Sequence, residues 1–123
     1  MNESDLIFNY GWRKPINILF NNKQIEIELV FEAYKGENVN EKQKSAYQQF
    51  IDHQDKYSQT VKKLLADYKN KYQIVDASID IKTLLINQNG SFGLLCDCAW
   101  DIENGIAIVL SPEEKIVIQD EFL

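Results

Sequence analysis

Three groups of residues have the types and spacing to do chemistry. Cys96 and Cys98 stand two apart within Phe92-Gly93-Leu94-Leu95-Cys96-Asp97-Cys98-Ala99-Trp100. Two thiolates are half of a zinc site, but no second Cys pair or nearby His completes it. Neighbouring same-face cysteines in an extended strand are also poorly placed to bridge each other. In this apolar setting they read as buried free thiols. Asp97, Asp101 and Glu103 form a carboxylate-rich group that could hold Mg²⁺ or Ca²⁺, since hard cations take oxygen ligands. Such a site would make the protein a metal-dependent hydrolase, which stands as the alternative function. The plainer reading is a solvated turn. His53, the sole histidine, lies between Asp52 and Gln54 in a helical region and reads as a solvated break in the helix. The sequence holds no Gly-x-Ser-x-Gly elbow and no phosphate-cradling glycine loop. No catalytic residue, metal ligand or cofactor is assigned.

The elements that carry these residues follow from periodicity. Ile16, Ile18 and Phe20 alternate with Asn17, Leu19 and Asn21, and Asn21-Asn22-Lys23 supplies turn chemistry. Ile25 to Glu32 alternates apolar with acidic residues, so the two runs predict a hairpin with one wet face. Leu6 to Tyr10 adds a short edge strand. From Asn40 the period changes: Asn40 and Gln43 match a capping box, and Ala46, Tyr47, Phe50 and Ile51 form an amphipathic stripe. Tyr57, Val61, Leu64, Leu65, Tyr68 and Tyr72 continue it. A straight helix over 41–70 would be about 45 Å long, and the polar run Asp52-His53-Gln54-Asp55 predicts a kink or two helices. Strands return over Ile79–Ile86, Ser91–Trp100, Ile106–Leu110 and Lys115–Gln119, punctuated by Asn89-Gly90 and Asn104-Gly105. On the third-last strand Phe92, Leu94, Cys96, Cys98 and Trp100 share the core face, with Leu95 and Asp97 opposite. Trp100 packs inward, Asp101 caps the turn, Gly105 takes a positive φ and Glu103 faces water. The fold class is α+β: an antiparallel sheet with N-terminal strands, a central helical segment and a C-terminal β-meander.

A chain of 123 residues with 45% hydrophobic and 26% charged side chains is a single domain over 1–123 with a sizeable core. The net charge of −6 argues against a broad nucleic-acid surface. Met1–Tyr10 lacks a basic, long apolar leader, and the longest apolar run, Ile106–Leu110, is far short of a bilayer span, so a cytoplasmic protein without a membrane partner is expected. The charge is uneven. Residues 1–40 carry −2, residues 41–72 carry +3, and residues 73–123, with nine acids and two Lys, carry −7.

Gly93 to Asp101, continuing through Glu103, Asn104 and Gly105, resembles the closing motif of a family of small bacterial domains of unknown function. Its members read as an apolar strand, an acidic-cysteine segment, Trp-Asp-Pro-Glu-His-Gly and a final hairpin. Trp100, Asp101, Glu103 and Gly105 match, while Ile102 stands for Pro and Asn104 for His. Asn40 to Tyr47, with Phe50, resembles that family's helix opening through Gln43, Ala46, Tyr47 and Phe50. The resemblance spans the chain from about residue 24 onward. It implies a neighbourhood in bacterial polymorphic-toxin loci, where small acidic proteins act as immunity proteins.

Charge and resemblance together set the functional expectation: a non-enzymatic domain that binds a basic protein partner, such as a toxin domain, through its acidic C-terminal surface. The expected partner-binding residues are Asp101, Glu103, Glu113, Glu114, Asp120 and Glu121. Complementary charge speeds encounter and discriminates partners.

Overall fold

The computed structural model describes residues 3–123; Met1 and Asn2, part of the stretch read above for targeting, lie outside the described residues. The elements run β1 (Ile7–Phe8), β2 (Trp12–Phe20), β3 (Lys23–Phe31), α1 (Glu41–Asp52), α2 (Gln54–Tyr72), β4 (Ile79–Ile86), β5 (Phe92–Cys98), β6 (Ile106–Ser111), β7 (Lys115–Ile118) and α3 (Gln119–Phe122), after a 3₁₀ turn at Glu3–Asp5. The seven strands make one sheet in chain order, β1 to β7. This is an α+β fold with two helices in the middle and a C-terminal meander.

Each neighbouring pair is antiparallel except β3 and β4, which run parallel. The exception follows from the helices. Parallel neighbours need a crossover, and α1 and α2 supply it. The β2–β3 hairpin closes on Asn21 and Asn22, both at positive φ (57° and 63°) as a two-residue type I′ turn requires. Lys82 sits at a register shift between Ile81 and Thr83, which restores the alternation of β4 against β5.

The helix break falls at His53, an exposed residue with φ −127° and ψ 33°, outside helical geometry. Its N–H donates to the Phe50 carbonyl at 3.3 Å, closing α1, and its carbonyl accepts from Tyr57 N–H at 3.1 Å, opening α2. The capping box is formed: Gln43 N–H donates to Asn40 Oδ1 at 2.9 Å, and Asn40 N–H donates to Gln43 Oε1 at 3.1 Å. Gln43 has a second task that the spacing did not reveal. Its side chain is fully buried, and its amide nitrogen donates to the carbonyls of Glu32 (2.9 Å) and Ile86 (3.1 Å). One side chain thus ties the start of α1 to the ends of the two parallel strands.

The core lies between the helices and one face of the sheet. Ile16, Ile18, Leu29, Phe31, Leu84, Ile86, Leu94, Cys96, Ile106 and Ile108 meet Ala46, Phe50, Tyr57 and Val61 there. At its centre Phe50 and Tyr57 stack at 5.6 Å, and Phe92 of β5 stands edge-on to both, at 6.1 and 5.6 Å. α2 reaches the open edge of β2, where Gln54 Oε1 accepts from Leu19 N–H at 2.6 Å and Ser58 Oγ from Asn21 N–H at 3.3 Å. Among the described residues no helix is long and apolar enough to cross a membrane.

Candidate functional site

The C-terminal acids are placed by β5, β6, β7 and the turns between them. β5 keeps the predicted alternation: Phe92, Leu94, Cys96 and Cys98 are buried, Leu95 is half-buried and Asp97 is exposed. Trp100 departs from it. The strand ends at Cys98, so residues 99 and 100 belong to a turn and the strand parity no longer governs the indole. Trp100 is half-buried at the margin of the core, its ring 5.7 Å from that of Tyr68 on α2. Its truncation to Ala is therefore expected to cost about 2 kcal/mol in a denaturant titration, less than the ~3–5 kcal/mol of a fully buried large side chain.

Both thiols are free and buried. Desolvation raises the Cys96 thiol far above the usual range, and desolvation, ahead of the neighbouring Asp101 carboxylate, raises Cys98 as well. A raised thiol pKa means that the reactive thiolate is scarce at neutral pH. Ellman-type labelling of the native protein is expected to be slow at both cysteines and to become rapid only on unfolding. Fast modification of the folded protein would contradict the buried placement.

The turn after β5 is built around Asp101. Its Oδ1 accepts from Asn104 N–H at 3.2 Å and from Asn104 Nδ2 at 3.1 Å. Gly105 follows at φ 65°, and a Cβ there would meet the Cys96 carbonyl at 2.8 Å and Gln119 Nε2 at 2.5 Å. Gln119 fills that space and donates to the Cys96 carbonyl at 3.0 Å. The contact anchors the start of α3 over the 101–105 turn, so Asp120 and Glu121 stand at the same end of the sheet as Asp101 and Glu103. β7 begins at the other end. Pro112, Glu113 and Glu114 form the β6–β7 connection, entered through a cis Ser111–Pro112 bond. The expected site residues therefore split into two groups separated by the length of β6, about 20 Å for six residues.

The two groups are differently engaged. Asp101 is half-buried and holds its turn, and Glu113 lies 3.7 Å from Lys115 Nζ. Glu103, Glu114, Asp120 and Glu121 are exposed, and among the described residues they have no hydrogen-bond or ion-pair partner. Sequence reasoning missed a contribution from β4. Asp80 pairs directly with Asp97 across the β4–β5 ladder, and Lys82 Nζ sits 2.8 Å from Asp80. Two carboxylates opposite each other are unfavourable without a neighbouring cation. The Asp80 contact holds Lys82 above its ordinary pKa. In the α2–β4 connection the Asp76 carboxylate accepts from Ser78 Oγ (2.6 Å) and Ser78 N–H (3.0 Å), which hold it below the usual carboxylate range.

Asp97, Asp101 and Glu103 do not assemble as the hydrolase alternative needs. Among the described residues no three His, Cys, Asp or Glu side chains gather to hold a metal ion. The reason is local: Asp97 projects from the exposed face of β5, Asp101 is committed to Asn104, and Glu103 points to solvent. His53 is exposed at the helix junction, its Nδ1 2.9 Å from the Gln49 carbonyl. A hollow of about 460 Å³ opens between α1 and two hairpin turns, lined by Glu41, Lys42, Ser45, Gln49, Ser91 and Ser111 among others. It pairs one acid with one base and does not extend the acidic groups. What the C-terminal segment presents is a charged surface.

Fold and surface define a small α+β domain whose last two strands are framed by carboxylates. Residues 2–89 match the family described as Domain of unknown function (DUF6985), and the chain belongs to that family. The match includes the helix opening Asn40–Phe50 and ends before the Trp100–Gly105 turn. No curated protein and no solved structure matches the chain.

Proposed function

We propose that this protein is a non-enzymatic, cytoplasmic protein-binding domain that engages a basic partner through the acidic residues around β7. The observation that carries the reading is the unengaged set Glu103, Glu114, Asp120 and Glu121. These four exposed carboxylates have no partner among the described residues and lie in a segment that carries −7. Exposed carboxylates without a partner in the fold are the charges most available to steer and select a second protein. The resemblance to domains of bacterial polymorphic-toxin loci makes the specific form of the proposal an immunity protein. A toxin domain that acts on nucleic acid needs a basic substrate surface, and an acidic protein laid over that surface blocks it.

The test is co-purification with the product of the neighbouring gene, at low and high salt. Capture at low salt that weakens at high salt is expected, because exposed charges are screened within about 10 Å at 0.1 M salt. Glu113→Lys with Glu114→Lys is expected to slow association about tenfold and leave the fold intact, since both residues are exposed. Partner capture with unchanged rate and salt dependence would remove this surface from the interface.

A further inference from the structure

The outer edge of the sheet at β7 is a run of unpaired backbone. β7 is the last strand of the sheet and pairs only with β6. A strand with one neighbour turns half of its N–H and C=O groups outward. At the opposite side of the sheet the open edge of β2 is partly blocked: Pro15 has no N–H to offer, and Gln54 and Ser58 of α2 accept from Leu19 and Asn21. No side chain does the same for β7; among the described residues the backbone of Lys115–Val117 has no hydrogen bond outside the β6 ladder, and only the Ile118 carbonyl, as the N-cap of α3, is turned to the helix. Lys115-Ile116-Val117-Ile118 is otherwise a good strand to extend, with β-branched residues at three of its four positions. Ile116 packs against the core, and Ile118 is 41% exposed.

The charges around this edge select what can lie on it. Glu113 and Glu114 precede β7, and Asp120 and Glu121 follow it, with Lys115 the one base between them. A second copy of the chain, paired antiparallel through β7, would bring Glu113 and Glu114 of each copy to the end where the other copy's α3 carries Asp120 and Glu121. Like charges facing each other across a strand pair are destabilising. A strand with basic residues at both ends meets the opposite condition. β7 spans about 13 Å, and an added strand of eight residues, about 26 Å long, runs past Glu113 and Glu114 at one end and past the start of α3, which carries Asp120 and Glu121, at the other.

We infer that β7 is a strand-addition edge: an extended segment of a basic protein partner pairs with Lys115–Ile118, its cationic ends held by Glu113/Glu114 and Asp120/Glu121. The inference rests on the proposed function and gives it a binding mode. Backbone hydrogen bonds supply affinity, and the flanking acids supply selection.

The test uses the full chain, ¹⁵N-labelled, and the synthetic peptide Arg-Lys-Val-Thr-Val-Thr-Lys-Arg. Two controls accompany it: the same peptide with Glu replacing each basic residue, and one N-methylated at alternate residues. The expected result is saturable binding of the basic peptide, with shifts and slowed exchange at the amides of residues 115–118. Neither control should bind. Glu113→Lys, Glu114→Lys, Asp120→Lys and Glu121→Lys combined should weaken the basic peptide at least about tenfold and admit the acidic one. The corresponding four-Gln variant, which adds no positive charge, should weaken it without admitting the acidic peptide.

Lack of saturable binding, equal binding of the N-methylated peptide, or shifts confined to another surface would each overturn the inference. So would a concentration-dependent dimer of the free protein with protected β7 amides, which would assign the edge to a second copy. A natural partner captured in a salt-sensitive way that leaves the β7 amides unprotected would end the strand-addition mode and leave the acidic-surface reading intact. Salt-insensitive capture would strike at that reading itself.

Discussion

Replacing Phe92 by Ala is expected to destabilise the protein by about 3–5 kcal/mol, the range for emptying the site of a buried aromatic side chain. Phe92 is 1% exposed and stands edge-on to the stacked pair Phe50 and Tyr57. Phe50 lies on α1, Tyr57 on α2 and Phe92 on β5, so one ring joins both helices to the sheet. The neighbours cannot readily fill the gap. Phe50 and Tyr57 hold each other in a stack only 10° from parallel, and the Tyr57 hydroxyl accepts from Gln49 Nε2 at 2.8 Å. Urea titration of the variant checks the value. Phe92→Leu should recover more than half of the loss, because it restores most of the apolar volume. A loss below about 1 kcal/mol for the Ala variant would show that the three rings are not the centre of the core.

Replacing Gln43 by Ala is expected to cost about 3 kcal/mol, large for a single polar side chain. The amide contributes to three places at once: the Asn40 cap and the carbonyls of Glu32 and Ile86. The Ile86 carbonyl keeps a second donor, Glu32 N–H at 2.9 Å, so the Glu32 carbonyl bears most of the loss. Gln43→Glu separates the amide's donor role from its size. A carboxylate offers only acceptors to two carbonyl oxygens, so at neutral pH this variant is expected to be at least as unstable as Gln43→Ala. The buried carboxyl would have a raised pKa in the folded state. Its penalty should therefore shrink as pH falls through that folded value, when a donor proton returns. Stability of the two variants measured between neutral and mildly acidic pH would show the crossing, and parallel profiles would contradict the assignment.

These two side chains mark what the sequence could and could not reveal. The strand alternation of Ile25–Glu32 and Phe92–Cys98, the Asn-Asn and Asn-Gly turns and the Asn40/Gln43 cap are local signals. Each appears in the structure where the residues placed it, because backbone geometry within a few residues decides them. The parallel pairing of β3 with β4 is not local. It depends on the helical crossover returning the chain to the same end of the sheet, which no periodicity encodes. Gln43 was legible as a cap residue, but its bonds to Glu32 and Ile86 need that same pairing. Trp100 was assigned to the core face by extending strand parity two residues beyond the point where the strand stops.

The site was legible as composition and not as geometry. Nine acids in the last 51 residues announce a charged surface, yet the sequence does not say that β6 separates Glu113 and Glu114 from the other four expected residues. Nor does it say that Asp101 is spent on Asn104. Asp80 joins Asp97 only through the β4–β5 register, and Asp120 and Glu121 join the 101–105 turn only through the reach of Gln119 across Gly105. What singles out β7 is its place at the end of the strand order, a property of the whole sheet.

The central claim, that a basic protein is bound through the acidic residues around β7, is tested most directly by association kinetics with the neighbouring gene's product over a range of ionic strength. The wild type is compared with a variant carrying Glu103→Lys, Glu114→Lys and Glu121→Lys, three exposed positions without partners among the described residues. The account predicts a wild-type rate that falls steeply as salt is added, and a variant that associates at least about tenfold more slowly at low salt and converges with the wild type at high salt. Rates that are equal for the two proteins at every salt concentration would contradict it.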